Sequence, residues 1–269
     1  MQTNKPKTIL VTGASSGLGH RIATTLANDG YIVYGTSRRR RPDANGVRMR
    51  VLDITQPESI NRCVADIIAE AGAIDVLINN AGEVLGGMLE ETDLVAAEAH
   101  FQTNFFGAVR MTHALLGHMR PRRQGQIIFI SSLAGLVATP GEGFYAAAKH
   151  ALEGYASTLS VEVAQFNVAV SLVEPSFFKT PIVATAVHAP TKPIADYDGV
   201  RENVRQMHLE SVAHGENPQK VANTVLAIVR AARPKLRYRA GRDAQIVPNL
   251  VKIMPERLFM YGLRRRFSM

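Results

Sequence analysis

The 269-residue chain has no tryptophan, a single cysteine and only 6% aromatic residues, and it carries 23 acidic side chains against 31 basic ones. With Cys63 alone, no intrachain disulfide can form, which is compatible with a reducing compartment. Cys63 lies in Ile60-Asn61-Arg62-Cys63-Val64, on a predicted amphipathic helix, where a packing role is expected. No apolar run approaches the roughly 20 residues of a membrane span. The first seven residues are polar and lack the apolar core of a secretion signal. The expected location is the cytoplasm, or a surface visited peripherally. Long low-complexity segments, internal repeats and interdomain linkers are also missing.

What is present suits one domain with a full core: 46% of residues are hydrophobic, in a chain of the length common for single α/β units. The net charge is +8 and the sequence pI about 9.8. Arginines cluster at Arg38–Arg41, at Arg120 with Arg122 and Arg123, and at Arg264–Arg266. These clusters are short, far apart and not interleaved with aromatics, so no nucleic-acid partner is expected. An anionic small-molecule cofactor accounts better for the first.

Strands and helices alternate. Strands are predicted over 8–11, 31–36, 47–52, 74–78, 126–130 and 168–173, and helices over 20–29, 57–71, 94–119, 143–165, 200–209 and 218–232. The strands are β-branched and almost wholly apolar, which buries both faces and implies a doubly wound parallel sheet, a three-layer α/β/α Rossmann fold in a single domain. Such sheets bind ligands beyond the carboxyl ends of their strands. Gly13, Ser37, Asp53, Asn80, Ser132 and Pro175 fall there. Residues 181–215, with Pro181, Pro190 and Pro193, are predicted to form a lid over the site, and 247–269 a basic tail.

Thr12-Gly13-Ala14-Ser15-Ser16-Gly17-Leu18-Gly19 joins the first strand to the first helix with G-x-x-x-G-x-G spacing. Glycines let backbone approach a pyrophosphate, and the helix N-terminus offers free N–H groups. Gly13, Ser15, Ser16, Gly17, Leu18 and Gly19 are thus candidate cofactor contacts. The second strand ends in Ser37-Arg38-Arg39-Arg40-Arg41, where an acidic residue would select NAD(H). Arg38 first, then Arg39, with help from Ser16, are expected to hold a 2′-phosphate, so the cofactor is predicted to be NADP(H), with NAD(H) less favoured. Arg40 and Arg41 are open between cofactor contact and solvated surface. Asp53 with Ile54 is expected at the adenine edge, the alternative for Asp53 being a helix N-cap. Asn80, Ala81 and Gly82 are expected near the adenosine ribose, or as plain turn residues.

Tyr145-Ala146-Ala147-Ala148-Lys149 places a phenol and an ammonium four apart, on one helical face. A neighbouring cation favours phenolate, so the Tyr145 pKa is expected to fall from about 10 toward the range useful for acid–base work.

With Thr12–Gly19, Asn79-Asn80-Ala81-Gly82, Asn104, Ser131-Ser132, Tyr145–Lys149 and Pro175–Thr180 in this order, the chain resembles the compact branch of the short-chain dehydrogenase/reductase family from Thr8 to about Thr180. Its glycine loop, Arg38 and Phe144–Gly154 are most similar to the 17β-hydroxysteroid and retinol dehydrogenase-like members. The resemblance implies a tetrad. Ser132 orients the substrate oxygen and Tyr145 is the acid/base. Lys149 binds the nicotinamide ribose and lowers the tyrosine pKa, while Asn104 holds a water linked to Lys149. It also implies cofactor contacts from Pro175, Ser176, Phe178 and Thr180, Thr180 taking the carboxamide. Ser176 stands where the family commonly has glycine.

The implied substrate is a hydrophobic ketone or secondary alcohol (steroid-, retinoid- or lipid-like) among Leu133, Val137, Phe144, Phe177, Phe178 and parts of 181–209, with Glu142 either adding a polar contact or lying on the surface. No metal is expected. Relatives of this kind assemble as dimers or tetramers through the helices near 94–119 and 143–165. The basic tail is open between packing, an oligomer contact and an anionic membrane. Two rivals are a catalytically inactive NADP-binding sensor and a sugar epimerase or dehydratase; the latter branch carries a larger substrate domain.

Overall fold

The computed structural model describes residues 6–180 and 192–269. Seven strands among them, β1 (Thr8–Val11), β2 (Ile32–Ser37), β3 (Val47–Val51), β4 (Val76–Asn79), β5 (Gly125–Ile130), β6 (Val168–Pro175) and β7 (Arg237–Ala240), form one parallel sheet in the order β3-β2-β1-β4-β5-β6-β7. Strand order reverses between β1 and β4, and the crevice above that point is where ligands bind in such sheets.

Helices cover both faces because strand residues point alternately to opposite sides. Leu10, Leu77, Ile127 and Phe129 pack against α2 (Pro57–Ala71), α4 (Gly107–Arg122) and α5 (Gly143–Glu162). Their neighbours Ile9, Val11, Ile78 and Ile128 pack against α1 (Gly17–Asn28) and α7 (Gln219–Arg230). This is the doubly wound three-layer arrangement expected. Cys63 is buried on α2, its thiol pushed up to about 11 by burial, as a packing residue should be.

The differences from expectation lie at ends and edges. Helix α1 starts at Gly17 rather than residue 20, because a glycine-rich first turn hides a helix from propensity. The predicted helix over 94–119 is three pieces: α3 (Leu94–Phe101), a π turn (Gln102–Phe106) and α4. Strand β7 escaped prediction because Arg-Tyr-Arg-Ala has no apolar run. Its arginines instead pair with buried carboxylates, Arg237 with Glu153 (3.2 Å) and Glu174 (3.3 Å), and Arg239 with Glu174 (3.5 Å).

Of the predicted lid, residues 181–191 lie outside the described residues; the remainder holds α6 (Asp198–Ala213), longer than expected. The tail is helical: α8 (Arg242–Ile253) is followed by α9 (Glu256–Arg266), and Phe267 is buried against Val204 and Met88. No helix among the described residues is long and apolar enough to cross a membrane.

Candidate active site

One cavity of about 1700 Å³ runs across the carboxyl ends of the strands. Its first end is the β1–α1 loop. Gly13 has φ +67, and a Cβ there would lie 2.9 Å from the Ala81 Cα. A Cβ on Gly19 would lie 2.2 Å from the Gly13 carbonyl oxygen, so this turn closes only with glycine. Asn80 Nδ2 donates to the carbonyls of Thr12 (2.9 Å) and Gly13 (3.1 Å), and the Asn80 and Ala81 N–H groups donate to Thr12 Oγ1 (both 3.0 Å). The side chain of Asn80 therefore clamps the loop, while Ala81 and Gly82 line the cavity.

Ser16 precedes α1 without a side-chain cap, and the first turn carries no acid. The opening N–H groups and the positive dipole end are thus left facing an anion site. Ser15, Ser16, Gly17, Leu18, Arg38, Arg39 and Arg41 share the cavity wall. A loop too tight for side chains, an uncapped helix start and three guanidinium groups fit the phosphates of a dinucleotide. Arg40 lines a separate depression with Pro42 and Asp43. Asp53 and Ile54 are in the wall. The Asp53 carboxylate accepts from Thr55 N–H (2.9 Å) and Thr55 Oγ1 (2.7 Å), bonds that hold its pKa low, helped by Arg38. It is not the N-cap of α2; that residue is Gln56.

At the middle of the cavity, β5 runs into Ser132, whose extended backbone starts a short turn and whose Oγ accepts from Ala134 N–H at 3.1 Å. The Ser132 hydroxyl hydrogen-bonds the Tyr145 hydroxyl. Lys149 is only 6% exposed; its Nζ donates to the Ile130 carbonyl at 2.8 Å and lies 5.7 Å from the Tyr145 ring centre. The sequence brings these three together as expected, but not the charge effect. Desolvation deep in the cleft raises the Tyr145 pKa, the Ser132 bond only partly opposes it, and the Glu142 charge adds to it. Burial lowers Lys149 to about 8, partly offset by Glu153. With its pKa raised by burial, Tyr145 is a protonated donor, not a lysine-lowered phenol. Its ring stays partly open to the cavity, so the desolvation is that of a cleft wall rather than a sealed core.

Asn104 sits in the π turn, 2% exposed and outside the cavity wall. Its Oδ1 accepts from Glu83 N–H (2.8 Å), and its Nδ2 donates to the Glu83 carbonyl (2.7 Å) and to His100 Nε2 (2.8 Å). The side-chain groups are thus engaged in fixing the segment after β4. π turns of this kind are frequent at functional sites. His100, which no sequence motif marks, lies 6.0 Å ring to ring from Tyr145; burial and then the Lys149 charge lower its pKa to about 4, so it is neutral.

The far end is apolar with polar insertions. Leu133, Val137, Phe177 and Phe178 line it, as do Pro175, Ser176 and Thr180 nearer the centre. Phe144 does not, although expected to: it stands one helical step from Tyr145 and so faces about 100° away. Glu142 is a cavity residue rather than a surface one, its side chain 12% exposed with Oε1 3.8 Å from His208 Nε2. Met207 and His208 on α6, within the stretch expected over the site, line it too, and Val247 on α8 with Phe259, Leu263 and Phe267 at the C-terminus complete the wall; these last four were not legible, because nothing local marks a helix that returns to a distant site. Among the described residues no group of three His, Cys, Asp or Glu side chains is placed to hold a metal.

Residues 7–190 match the family model for short chain dehydrogenases. The chain is 38% identical over 268 residues to the 3-ketodihydrosphingosine reductase of Bacteroides thetaiotaomicron, covering 97% of each protein. It is 36% identical to retinol dehydrogenase 8 of Homo sapiens, over 86% of this chain and 80% of that protein. A short-chain dehydrogenase structure from Streptomyces avermitilis superposes with a TM-score of 0.83 at 33% identity, covering 98% of this chain and 99% of that one.

Proposed function

Because the chain belongs to the short-chain dehydrogenase family, and is therefore an oxidoreductase of hydroxyl and carbonyl groups, we propose that it is an NADP(H)-dependent reductase of hydrophobic ketones. The observation that carries this reading is the convergence of Ser132, Tyr145 and Lys149 in the wall of the cavity that also takes in the glycine loop and Arg38.

When bound, the nicotinamide supplies hydride transfer to the carbonyl carbon. The residues do the rest. The Ser132 and Tyr145 hydroxyls hold the carbonyl oxygen, and Tyr145 delivers the proton. Two preplaced donors offset developing alkoxide charge, a contribution that can reach about 3 kcal/mol per donor. A tyrosine kept protonated by burial is matched to donation, which favours reduction. Lys149, in contact with the Ile130 carbonyl, sits beneath the ring as the cation that steadies a transient tyrosinate and reaches the cofactor ribose. Asn104 is a positioning residue, holding the π turn and the chain after β4 beside that lysine.

Arg38 and Arg39, with no acid at the end of β2, support the 2′-phosphate of NADP(H). Thr180, Pro175, Ser176 and Phe178 support the nicotinamide end. The apolar far wall and α6, which closes over it, support a hydrophobic substrate beneath a lid. The test is NADPH oxidation against a panel of steroid, retinoid, fatty and aromatic ketones. Turnover of apolar ketones with NADPH preferred is expected; failure on all of them overturns the reading in favour of an inactive NADP-binding sensor.

The C-terminal helices belong to the same proposal, as a contact with anionic lipid. Ile246, Leu250 and Ile253 repeat at i, i+4 and i+7 and stand exposed, Ile253 at 81%, with Lys252, Arg257, Arg264 and Arg265 alongside. Flotation with anionic vesicles checks it; protein left in solution removes it. Assembly as a dimer or tetramer through α4 and α5 completes the picture, and light scattering at the monomer mass removes that.

A further inference from the structure

We infer that Glu153 is a positioning residue for the reduction: its buried carboxylate, anchored by Arg237 of the edge strand, is the counter-charge that keeps Lys149 a cation beneath Tyr145. This deepens the proposed ketone reduction and rests on it.

Glu153 follows Lys149 by four residues on α5, so the two side chains share one helical face. Each residue is only 6% exposed. The turn after Ser132 closes down on this stretch of helix: a Cβ on Gly135 would lie 3.1 Å from the Lys149 carbonyl oxygen and 3.2 Å from Glu153 Cγ. From Glu153 a line of charges of alternating sign runs to the edge of the sheet. Arg237 Nε on β7 lies 3.2 Å from Glu153 Oε2 and 3.3 Å from Glu174 Oε1. Arg239 Nε is 3.5 Å from Glu174 Oε2, and its Nη1 donates to Asn249 Oδ1 on α8 at 2.8 Å. Arg237 Nη2 also donates to Ser157 Oγ (2.6 Å), which ties the guanidinium to α5 a second time. The other carboxylate oxygen, Glu153 Oε1, is buried and takes no hydrogen bond among the described residues.

A buried ammonium loses its hydration, and without an acid nearby it sheds its proton. Lys149 has to stay charged to support a tyrosinate. The Ile130 carbonyl that its Nζ contacts is neutral, as are His100 on α3 and Tyr145 on its own helix. Glu142 acts on Tyr145. Glu153 is the acid whose charge opposes the effect of burial on Lys149. Burial and then the Glu153 charge push Glu174 up to about 7 despite both arginines, so near neutral pH Arg237 is left mainly to Glu153. The Arg237 side chain is 42% exposed, so water carries part of its charge while the Glu153 carboxylate stays inside, facing the lysine's side of the helix.

The test is the pH profile of single-turnover NADPH oxidation with an apolar ketone, in the full-length wild type and its variants. Glu153→Gln keeps the side-chain size and still accepts from Arg237, and its alkaline limb is expected to begin about one pH unit lower than in the wild type. The rate should then fall about fivefold near pH 8 and change less than about twofold near pH 6. Glu153→Met, equally long and uncharged, carries the same expectation should the glutamine variant fail to fold. Glu153→Asp, which restores the charge, and Glu174→Gln, which leaves Glu153 in place, should each hold the limb within about 0.3 unit of the wild type. A limb that stays put in Glu153→Gln, with the rate lowered equally at every pH, overturns the inference and leaves Glu153 a structural role. An equal shift in Glu174→Gln overturns it too, because the effect would then belong to the whole cluster. In both cases an active wild type preserves the reductase reading. A wild type that reduces no ketone with NADPH sinks both.

Discussion

The two ends of the cavity are made of different materials. At the dinucleotide end the wall is largely backbone: a glycine turn clamped by Asn80 and Thr12, and the uncapped start of α1. At the substrate end it is side chains borne on α5, α6, α8 and α9, mostly apolar, with Glu142, His208 and Asp243 among them. Backbone geometry suits a ligand whose shape never varies. Side chains on peripheral helices can be exchanged without disturbing the sheet, so substrate choice is free to change while the cofactor site stays the same.

The sharpest way to separate binding from chemistry is at the centre, where the ends meet. Tyr145→Phe is expected to cut kcat at least about 100-fold while leaving NADPH affinity intact in a fluorescence titration. Comparable turnover in the variant would remove Tyr145 from its role. The dinucleotide end is tested next by Arg38→Ala. Loss of a charge-assisted bond of about 1.5–3 kcal/mol should weaken NADPH about 10- to 100-fold and leave NADH nearly unchanged. If NADH falls equally, Arg38 does not read the 2′-phosphate.

A pH profile tests the lysine between them. Lys149, lowered to about 8, is a cation below that pH and neutral above it. Reduction should therefore hold steady up to about pH 8 and then decline about tenfold per unit as the charge supporting the tyrosinate is lost. A profile flat to pH 10 would contradict this. The smallest effects contrast two glycines by denaturant unfolding. Gly19→Ala meets the Gly13 carbonyl and Asn80, and should cost about 1–3 kcal/mol. Gly154→Ala, on α5 with nothing within 4 Å, should be neutral or gain up to about 1 kcal/mol.

Much of the cofactor end was legible because each cue there is local: glycines at a strand–helix junction, arginines at a strand end, tyrosine and lysine one turn apart. The edge strand β7 was not, since its arginines are held by Glu153 and Glu174, partners 60 or more residues away in sequence. Nor was the π turn, whose extra residue leaves no mark on the apolar pattern of 94–119. Phe144, expected among the apolar walls, lies outside the cavity lining, one helical step from Tyr145. Nothing local marks His100 or His208; packing alone sets them against Asn104 and Glu142.

Residue order alone determined the alternating strands and helices, the dinucleotide turn and the Ser132, Tyr145, Lys149 set. Those depend on periodicity, on backbone freedom at glycine and on spacing along one helix, all properties of neighbours in sequence. Tertiary structure alone decided the protonation of Tyr145 and the placing of Glu142 and the C-terminal helices around the substrate end. Desolvation and charge are set by whatever packs nearby in space, and at this site those groups come from both ends of the chain.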